Sequence, residues 1–468
     1  MSGMHLNSKG LIEMNSIKPT SWCKFVFLVM TLIVFMDAGA ATINATSCAQ
    51  ANVQTAVSGA ADGDTVLVPA GSCSWSSGVS WSNKNISVIG AGIGNTVITP
   101  AGNVFSITAT TKGSFRVSGM SISGSPSGNP FIFQIMSSGT ETPVRGWRID
   151  HIRFNFTNAS SLRVFFISGI SWGLIDHCIF DGNEYIGVES AAYTDAEYSR
   201  GDVMGSKSWS LPINFGNDEA IYIEDCTWNL TGQSIPGIND MVYGARQVFR
   251  HNTVTGAWFQ THAARSNDRG GGLRYEIYNN TFNGNGFIWG FTLRSGTGVL
   301  FNNTISGYST NNILMDDQRT FESQVIGPPL GQCNGSSSYD GNKGTGNEVG
   351  WPCIDQIGRG PGPIRNQPSV PLYAWNNGSS ASCATGGVCN NSSVLSVNND
   401  GLNASGGTGH PWNSDHIKST AHANGEVDFV NNNSTPKPGY IAFAYPHPLQ
   451  GADPTARLLP PSNLRIVP

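Results

Sequence analysis

The sequence predicts an all-β fold, a right-handed parallel β-helix in which one chain winds as a single-stranded solenoid. Three observations predict it: a degenerate repeat about two dozen residues long, a column of asparagines at one repeat position, and a composition poor in charge. Only 12% of the 468 residues are charged, while 57 are glycine. Such a chain is expected to form strands and turns rather than long helices.

The first 40 residues predict a secretory signal peptide. A continuous apolar run extends from Phe25 to Met36, Lys24 precedes it, and Ala38-Gly39-Ala40 supplies the small residues at which such signals are cleaved. A dozen apolar residues fall short of the roughly 20 that span a bilayer. We therefore expect a secreted protein, extracellular or periplasmic, that has no membrane association once the signal is removed.

Cysteine usage agrees with an oxidising compartment. Loss of Cys23 with the signal would leave an even number of the nine cysteines. Three local pairs are plausible: Cys48 with Cys73, Cys333 with Cys353, and Cys383 with Cys389. Because no Cys-x-x-Cys occurs and no cysteine has histidine at zinc-ligand spacing, a structural metal is not expected.

Residues 41–450 predict one β-helix domain that opens with a helix. Apolar residues recur at helical spacing over 48–60, and the segment Gly63-Asp-Thr-Val-Leu-Val-Pro-Ala-Gly71 follows as a strand and a turn. A helix in this place would cap the first coil and protect its unpaired edge.

The repeat itself has an apolar second position, a polar pair near its middle and an apolar seventh position. Its units are Arg148-Ile-Asp-His-Ile-Arg-Phe154, Leu174-Ile-Asp-His-Cys-Ile-Phe180, Tyr222-Ile-Glu-Asp-Cys-Thr-Trp228, Val248-Phe-Arg-His-Asn-Thr-Val254, Glu276-Ile-Tyr-Asn-Asn-Thr-Phe282 and Val299-Leu-Phe-Asn-Asn-Thr-Ile305. A strand-rich unit of this length cannot bury its apolar face alone, so the units must stack into a continuous core. Three strands per coil give a parallel β-helix.

One repeat position carries asparagine in successive coils, at Asn252, Asn280 and Asn303. Stacked coils would place these amides about 4.8 Å apart, where they can form a hydrogen-bonded ladder. Cys178 and Cys226 share the position in earlier coils and should stack in the interior, either bonded or as two buried thiols.

Three further segments are predicted outside the regular coils. An insertion over 183–217 emerges between two coils, residues 331–450 form irregular C-terminal coils, and 451–468 form a Pro-rich tail or linker. Within the C-terminal part, Leu372-Tyr-Ala-Trp-Asn-Asn377 and Glu426-Val-Asp-Phe-Val-Asn-Asn432 are expected to be the last rungs.

The stacked units, the helix before the segment Gly63 to Gly71, and Gly350-Trp-Pro-Cys-Ile-Asp-Gln-Ile-Gly358 resemble bacterial secreted right-handed parallel β-helix proteins of the pectate lyase-like superfamily. The resemblance covers most of the mature chain. It implies that the third stretch of each coil forms one long parallel sheet and that substrates lie along it. The superfamily includes polysaccharide lyases, glycoside hydrolases, esterases and phage tailspikes, so the fold by itself does not select an activity.

A column of charged residues follows the third stretch on successive rungs. Its members are Glu189, Asp240, His262, Arg294 and Asp316, and Arg265, Arg269 and Arg274 come from the turn after the His262 strand. Glu189 and Asp240 would be neighbours one rung apart, a spacing that suits a two-carboxylate glycosidase. Another strand carries Arg246, Arg250 and Glu276, which are expected to be outward charges that pair across rungs.

A polysaccharide lyase needs other parts from the same column. His262 would be the base that removes the proton next to a uronate carboxylate, while Arg265 and Arg294 neutralise that carboxylate. Asp240, Glu189 and Asp316 are alternatively oxygen ligands for Ca²⁺, the one cofactor left open. Each of these side chains has a structural alternative, as an ordinary hydrogen-bonding or ion-pairing group on a solvated face.

The insertion carries aromatic residues that suit sugar stacking, among them Tyr193 and Trp209; alternatively these rings pack the loop onto the sheet. Tyr193 and Trp209, together with Glu189, Arg269 and Asp316 of the column and its turn, are the predicted substrate-binding residues. The sequence thus predicts an extracellular enzyme that degrades an extended polysaccharide, with a lyase acting by β-elimination on a uronic-acid-containing polymer placed first. A glycoside hydrolase or a non-catalytic carbohydrate-binding or adhesion protein is the alternative. A net charge of -5 without basic blocks argues against nucleic acid, and a monomer is expected.

Overall fold

The computed structural model describes the chain in sixteen segments. They are residues 39–128, 130–157, 162–182, 186–193, 207–231, 237–261, 271–287, 289–309, 311–316, 357–361, 368–379, 395–398, 417, 419–421, 425–431 and 434–451. All but Gly39 belong to the compact unit Ala40–Pro468. The predicted signal peptide, the Pro-rich tail and the pairs Cys333–Cys353 and Cys383–Cys389 lie outside the described residues.

The described strands stack into three parallel sheets, one for each stretch of the coil. Numbered in chain order, sheet 1 contains β1 Thr42–Asn44, β2 Thr65–Val68, β5 Ser87–Gly90, β8 Arg116–Gly124, β10 Val144–Phe156, β12 Ser171–Asp176, β15 Ile221–Glu224, β18 Arg246–Arg250, β21 Arg274–Tyr278, β24 Thr297–Phe301, β27 Leu372–Trp375 and β30 Phe429–Asn431. Sheet 2 contains β3 Gly71–Trp75, β6 Thr96–Pro100, β13 Ile179–Gly182, β16 Thr227–Leu230, β19 Thr253–Thr255, β22 Thr281–Asn283, β25 Thr304–Ser306 and β28 Gly378–Ser379. Strands β8 and β10 are long enough to run through both sheets.

Sheet 3 contains β4 Val79–Ser82, β7 Phe105–Thr108, β9 Phe131–Met136, β11 Arg163–Ser168, β14 Ile186–Ala191, β17 Asn239–Val242, β20 Phe259–Gln260, β23 Trp289–Leu293, β26 Asn311–Asp316 and β29 Leu395–Asn398. A parallel bridge between Gly237 and Trp258 connects its two halves. The strand pairs of all three sheets are parallel and join one coil to the next. The predicted parallel β-helix is therefore confirmed, and β27 and β30 confirm the two predicted last rungs.

The apolar positions of the repeat form continuous columns inside the coil. The second position stacks in register through Ile149, Ile175, Ile223, Phe249, Ile277 and Leu300. The seventh position stacks through Phe154, Phe180, Trp228, Val254, Phe282 and Ile305. Every one of these side chains is fully buried, so the repeat is the sequence signature of a core that runs the length of the helix.

The asparagine ladder is present at the corner between sheets 1 and 2. Asn252 donates to Asn280 at 3.1 Å, and Asn280 donates to Asn303 at 2.9 Å. Asn303 donates in turn to Asn377 at 2.9 Å, which extends the predicted ladder by one coil. Because the three predicted amides are buried, these bonds satisfy groups that would otherwise be costly to remove from water.

The residue before each ladder position has a left-handed backbone. These residues are His151, His177, Asp225, His251, Asn279, Asn302 and Asn376, with φ between 51° and 56°. Asparagine, aspartate and histidine are the side chains that adopt this region most readily apart from glycine. The polar middle of the repeat is thus explained by backbone geometry.

The N-terminal helix α1 spans Gln50–Gly59, within the predicted range, and buries Val53, Ala56 and Val57. Its role as a cap of the first coil stays a prediction. The predicted disulfide Cys48–Cys73 is formed, with Cα atoms 5.8 Å apart. Cys178 and Cys226 are both buried free thiols, the second of the two predicted alternatives.

A C-terminal strap, residues 434–451 with helix α3 Pro448–Gly451, covers the outer face of sheet 1. Arg250 donates to the carbonyls of Phe443 and Ala444 at 2.8 and 2.7 Å, and Tyr440 donates to Glu276 at 2.7 Å. Arg250 also pairs with Glu224 from the neighbouring coil at 2.5 Å. The predicted cross-rung pairing of Arg250 is confirmed, but Arg250 and Glu276 are completely buried because the strap lies over them.

Two arginines differ from their predicted settings. Arg246 is buried and donates to three backbone carbonyls of the segment Ser208 to Pro212, which holds the short helix α2 Lys207–Ser210 against sheet 1. Burial, together with the charge of Arg274, lowers the pKa of Arg246 to about 9. Arg274 was expected in the turn after the His262 strand, but it begins β21 and pairs with Glu276 at 2.7 Å, fully buried.

Among the described residues, no helix is long and apolar enough to cross a membrane.

Candidate functional site

Sheet 3 carries a row of partly exposed side chains at one register position. Gln134 pairs with Phe166, Phe166 with Glu189, and Glu189 with Asp240, on four successive strands from β9 to β17. The next residue in each strand is buried. This row, the outer row, is therefore a surface of these strands that a ligand can reach, together with Phe131 and Arg163 at the strand starts. It contains two of the charged residues predicted for the site, Glu189 and Asp240.

The two carboxylates of the outer row lie on neighbouring rungs, as predicted. Their Cα atoms are partners in register, so the backbones are about 4.8 Å apart. Arg163, at the start of β11, forms an ion pair with Glu189 across one rung. The Arg163 side chain is 30% exposed and that of Glu189 is 18% exposed, so the pair is at the surface of the sheet and only partly screened by water.

Aromatic rings lie on the rungs before and after the two carboxylates. Phe131 stacks on Phe166 with ring centroids 4.6 Å apart, and both are partly exposed. On the rungs beyond Asp240, the partly exposed Trp289 lies 5.5 Å from the ring of Trp258, which is buried. Ring faces of this kind suit the C–H surfaces of sugars. The arrangement along the sheet is therefore aromatic, then charged, then aromatic.

Arg294 follows β23 and lies at the second aromatic end. Its guanidinium carbon is 5.9 Å from the centroid of Trp258, a cation–π distance. Leu293 pairs in register with Met315, so Arg294 and Asp316 come after matched positions of neighbouring strands. The prediction that these two residues follow one another on successive rungs is consistent with this register, and the side chain of Asp316 lies outside the described part.

Three predicted site residues lie in the segment 262–270, outside the described residues: His262, Arg265 and Arg269. The proposed base and one of the two proposed carboxylate-binding arginines are thus expectations from sequence alone. The last described residue before them, Thr261, is buried, and its hydroxyl accepts a hydrogen bond from the backbone N–H of Arg294 at 2.8 Å. That bond links Thr261, the residue before the segment, to the Arg294 rung.

The two aromatic residues predicted to bind sugar from the insertion differ in their exposure. The ring of Tyr193 makes an edge contact with Tyr243, at 5.2 Å between centroids, and the residue is partly exposed. Trp209 is completely buried in α2, and a side chain at Gly244 would collide with its indole. A buried ring offers no face to a sugar, so Trp209 takes the alternative role of packing the insertion onto the sheet.

The described carboxylates do not assemble a calcium site. In the described part of the chain, no group of three or more His, Cys, Asp or Glu side chains is placed to hold a metal ion. Ca²⁺ takes six to eight oxygen ligands, whereas Glu189 is engaged by the guanidinium of Arg163.

The sequence interpretation missed Arg163 and the aromatic pairs. Arg163 precedes Glu189 by 26 residues, the length of one coil, and this spacing is the signal that could have linked them. Arg163 follows the seventh-position residue Phe154 by nine residues, as Glu189 follows Phe180. In the sheet, however, Arg163 lies in register with Ile186, three residues before Glu189. Phe131 and Phe166 face the same way only because β9 and β11 pair in a particular register, which spacing alone does not reveal.

Comparisons of the sequence with family models and with curated proteins find no match. Solved structures do match, at low identity. The A-module of the mannuronan C-5 epimerase AlgE4 from Azotobacter vinelandii is 10% identical, with a TM-score of 0.38, over 84% of this chain and 95% of that one. The PL6 family alginate lyase AlyGC is 16% identical, with a TM-score of 0.36, over 59% of this chain and 38% of the lyase.

A third match is the catalytic domain of a GH87 alpha-1,3-glucanase, 12% identical with a TM-score of 0.31, over 71% of this chain and 63% of that one. This chain thus spans less than half of the alginate lyase and most of the epimerase module. Likenesses this distant assign no activity.

Proposed function

We propose that this protein is a secreted carbohydrate-active enzyme that cleaves a uronic-acid-containing polysaccharide by β-elimination on sheet 3. The observation that carries the proposal is the outer row, where Glu189 and Asp240 lie side by side with Arg163 on the preceding rung. The row concentrates charge in a protein with only 12% charged residues. An anionic uronate polymer along it would be attracted by the guanidinium groups of Arg163 and Arg294, which offset the two carboxylates.

Arginine is suited to the first requirement of such a reaction. Removing the proton next to a uronate carboxylate leaves an enolate, and a guanidinium stabilises it because its fork of N–H donors matches two carboxylate oxygens. Arg163 and Arg294 are described cations on this sheet. In the proposal Arg294 binds the substrate carboxylate together with Arg265, and Arg163 orients Glu189 toward the polymer.

The base in this proposal is His262, as the sequence predicts. The imidazole would take the proton, the electron pair would form the new carbon–carbon double bond, and the bond to the glycosidic oxygen would break. That oxygen leaves with a proton supplied by a neighbouring acid or by water. Asp240 lies one rung from Glu189 and would orient the base or the sugar hydroxyls.

The aromatic ends of the site account for the rest of the binding in the proposal. The partly exposed rings of Phe131, Phe166 and Trp289 would pack against sugar rings on both sides of the reacting one, while the buried Trp258 contacts Trp289. Contacts remote from the reaction hold the polymer in register, which raises the effective concentration of the reacting groups.

A glycoside hydrolase is the second candidate, and the neighbouring carboxylates favour it. Carboxyl groups about 5 Å apart suit a retaining glycosidase, in which one is the general acid and the other the nucleophile. An ion pair with Arg163 stabilises the charged form of Glu189, so in a hydrolase Glu189 would be the nucleophile and Asp240 the general acid. Elimination is placed before hydrolysis because the described cations Arg163 and Arg294 suit a uronate carboxylate.

The test uses purified protein and a panel of uronate and neutral polysaccharides. Elimination produces an unsaturated sugar that absorbs in the ultraviolet, whereas hydrolysis produces reducing ends without that absorbance. We expect the absorbance to rise with a uronate polymer and Asp240→Asn to reduce the rate at least about tenfold, the scale on which positioned groups act. Asp181→Asn is the matched control, because Asp181 pairs with Arg153 on sheet 2 and should have no effect.

Three outcomes would contradict the proposal. Reducing ends without absorbance would establish hydrolysis, and glycan binding without any product would establish a non-catalytic protein. Full activity in His262→Ala would remove the proposed base whatever the reaction. A chelator should leave the rate unchanged, and loss of activity that added Ca²⁺ restores would instead support the calcium alternative.

A further inference from the structure

Two histidines stack on neighbouring coils at the corner between sheets 1 and 2. Asp150 and Asp176 are partners in register, and His151 and His177 directly follow them. The two imidazole planes are parallel within 1°, with centroids 4.9 Å apart. Their side chains are 52% and 42% exposed. The rings therefore stand side by side at the surface, away from sheet 3.

The buried carboxylates determine which ring nitrogen faces solvent. Nδ1 of His151 lies 2.7 Å from Asp150, and Nδ1 of His177 lies 2.8 Å from Asp176. Both carboxylates are completely buried and each is held by a guanidinium, Asp150 by Arg116 and Asp176 by Arg148. An ionised carboxylate can only accept, so each Nδ1 carries the proton. A neutral ring then presents the lone pair of Nε2 on its far side.

The carboxylate of Asp150 accepts from Arg116 and Ser118 as well as contacting the histidine ring. Arg116 donates to its two oxygens at 2.6 and 2.7 Å, and the hydroxyl of Ser118 donates at 2.8 Å. A carboxylate that accepts from one guanidinium on both oxygens is the anionic form, so the ring nitrogen beside it donates. A carboxylate bonded to one ring nitrogen, with the other nitrogen free to bind, is the usual setting of a metal-ligating histidine.

We propose that His151 and His177 form a surface site for one divalent transition-metal ion, bound through the two Nε2 atoms and completed by water. Imidazole suits Zn²⁺, Ni²⁺ and Cu²⁺, and Cu²⁺ binds tightest in that series. Ca²⁺ prefers oxygen ligands and should not compete. This site is separate from the proposed catalytic surface and does not depend on the polysaccharide chemistry.

The spacing of the rings sets what binding requires. The rings are parallel and held through the same nitrogen, so their Nε2 atoms are separated by about the same distance as their centroids. Two nitrogens on one ion, each about 2.0–2.1 Å away, lie about 3.4 Å apart when the bonds meet at the tetrahedral angle and about 2.9 Å apart when they meet at a right angle. Because the lone pairs of parallel rings point the same way, the rings must tilt toward each other and their Nε2 atoms must approach by about 1.5 to 2 Å. Half-exposed rings have the free space for this tilt.

The corner itself provides variants that should fold. His151 and His177 have φ of 51°, and the same corner position is asparagine at 279, 302 and 376 with φ between 52° and 56°. His151→Asn and His177→Asn therefore place a residue that this corner already accepts. His251 occupies the position too, but its ring stacks on Tyr445 at 3.6 Å, so His251→Asn is the matched control.

The experiment titrates the purified protein with Cu²⁺ by calorimetry and records the electron paramagnetic resonance spectrum of the bound ion. We expect coupling to two imidazole nitrogens. Each single asparagine variant should weaken binding at least about tenfold, a loss that even outer partners of metal ligands can cause, and should leave one coupled nitrogen. Thermal melting without metal checks that each variant is folded.

Three results would overturn the proposal. If His151→Asn and His177→Asn bind Cu²⁺ with the affinity and nitrogen count of the unchanged protein, the stacked pair is not the site. A spectrum of the unchanged protein with a single coupled imidazole would have the same meaning. The control His251→Asn should leave both affinity and spectrum unchanged, and a loss there equal to that of the other two would also contradict the assignment.

Discussion

The protonation of His447, a residue of the strap, is controlled by its buried surroundings. Its side chain is buried against the rings of Tyr222 and Phe443, and its Nδ1 accepts the backbone N–H of Leu449 at 3.1 Å. Burial, aided by the positive charges of Arg250 and Arg148, lowers the pKa of His447 to about 3. The ring is thus neutral in the folded protein, and a proton on Nδ1 would break the bond to Leu449.

The direction of the pH effect follows from linkage. An unfolded or detached His447 titrates near pH 6.5, so between about pH 6.5 and 3 the detached form binds more protons than the docked form. The contribution of His447 to docking is therefore complete above pH 6.5 and falls as the solution is acidified. We expect amide hydrogen exchange at Leu449, corrected for its intrinsic rate, to be faster at pH 5 than at pH 7.5.

The control for this pH effect is His447→Asn, in which an amide oxygen can accept the same N–H but does not titrate. Its exchange should be nearly independent of pH over this range. Equal pH dependence in the variant and the unchanged protein would show that another group is responsible.

Among the structural elements, the strap is the one that does not follow the repeat of the coils. It crosses sheet 1 and converts a surface of ordinary ion pairs into a buried polar layer. Arg250 and Glu224 are both completely buried, and the backbone N–H of His447 donates to Glu224 at 2.8 Å. Burying charges is costly unless all their partners are present. The strap supplies these partners, so its docking and the ion pairs beneath it depend on one another.

This dependence predicts a large effect of Arg250→Met. The substitution removes the cation, leaves Glu224 buried without it and frees two strap carbonyls, and loss of one member of a buried pair costs about 3 to 5 kcal/mol. Chemical denaturation should show a lowered midpoint, and limited proteolysis should cut the strap first.

Arg153→Met is the comparison for that substitution. Arg153 pairs with Asp181 at 2.8 Å but is 48% exposed, and exposed pairs contribute about 1 kcal/mol or less. Equal destabilisation by the two substitutions would mean that the buried layer does not hold the strap.

The same elements show what could be predicted from sequence. Ile149 and its equivalents recur once per coil and face inward, so the repeat specified the coil, the core columns and the asparagine ladder. The strap carries no repeat, and its contacts with Arg148 and Arg250 span 193 to 302 residues of sequence. Such contacts depend on the path of the whole chain. For this reason Arg250 and Glu276 were predicted on the correct strand while their burial was not.

For the molecule as a whole, the candidate site was predictable to the extent that it follows the coil period. Glu189 and Asp240 were expected on neighbouring rungs and are found there. Arg163 and the aromatic ends required the lateral register of sheet 3, and Trp209 required the packing of the insertion. These contacts decide whether a side chain is exposed or buried, and the residue type does not reveal it.

At this scale the central claim is that an extended uronate polymer lies along sheet 3. The claim is tested most directly by a crystal structure of the Asp240→Asn variant with a bound uronate oligosaccharide. We expect the sugar chain to run parallel to the helix axis over Phe166, Glu189 and residue 240, with a carboxylate on Arg294 and a sugar ring against Trp289. An oligosaccharide bound on another face of the coil, or crossing sheet 3 without contact to the outer row, would contradict the claim.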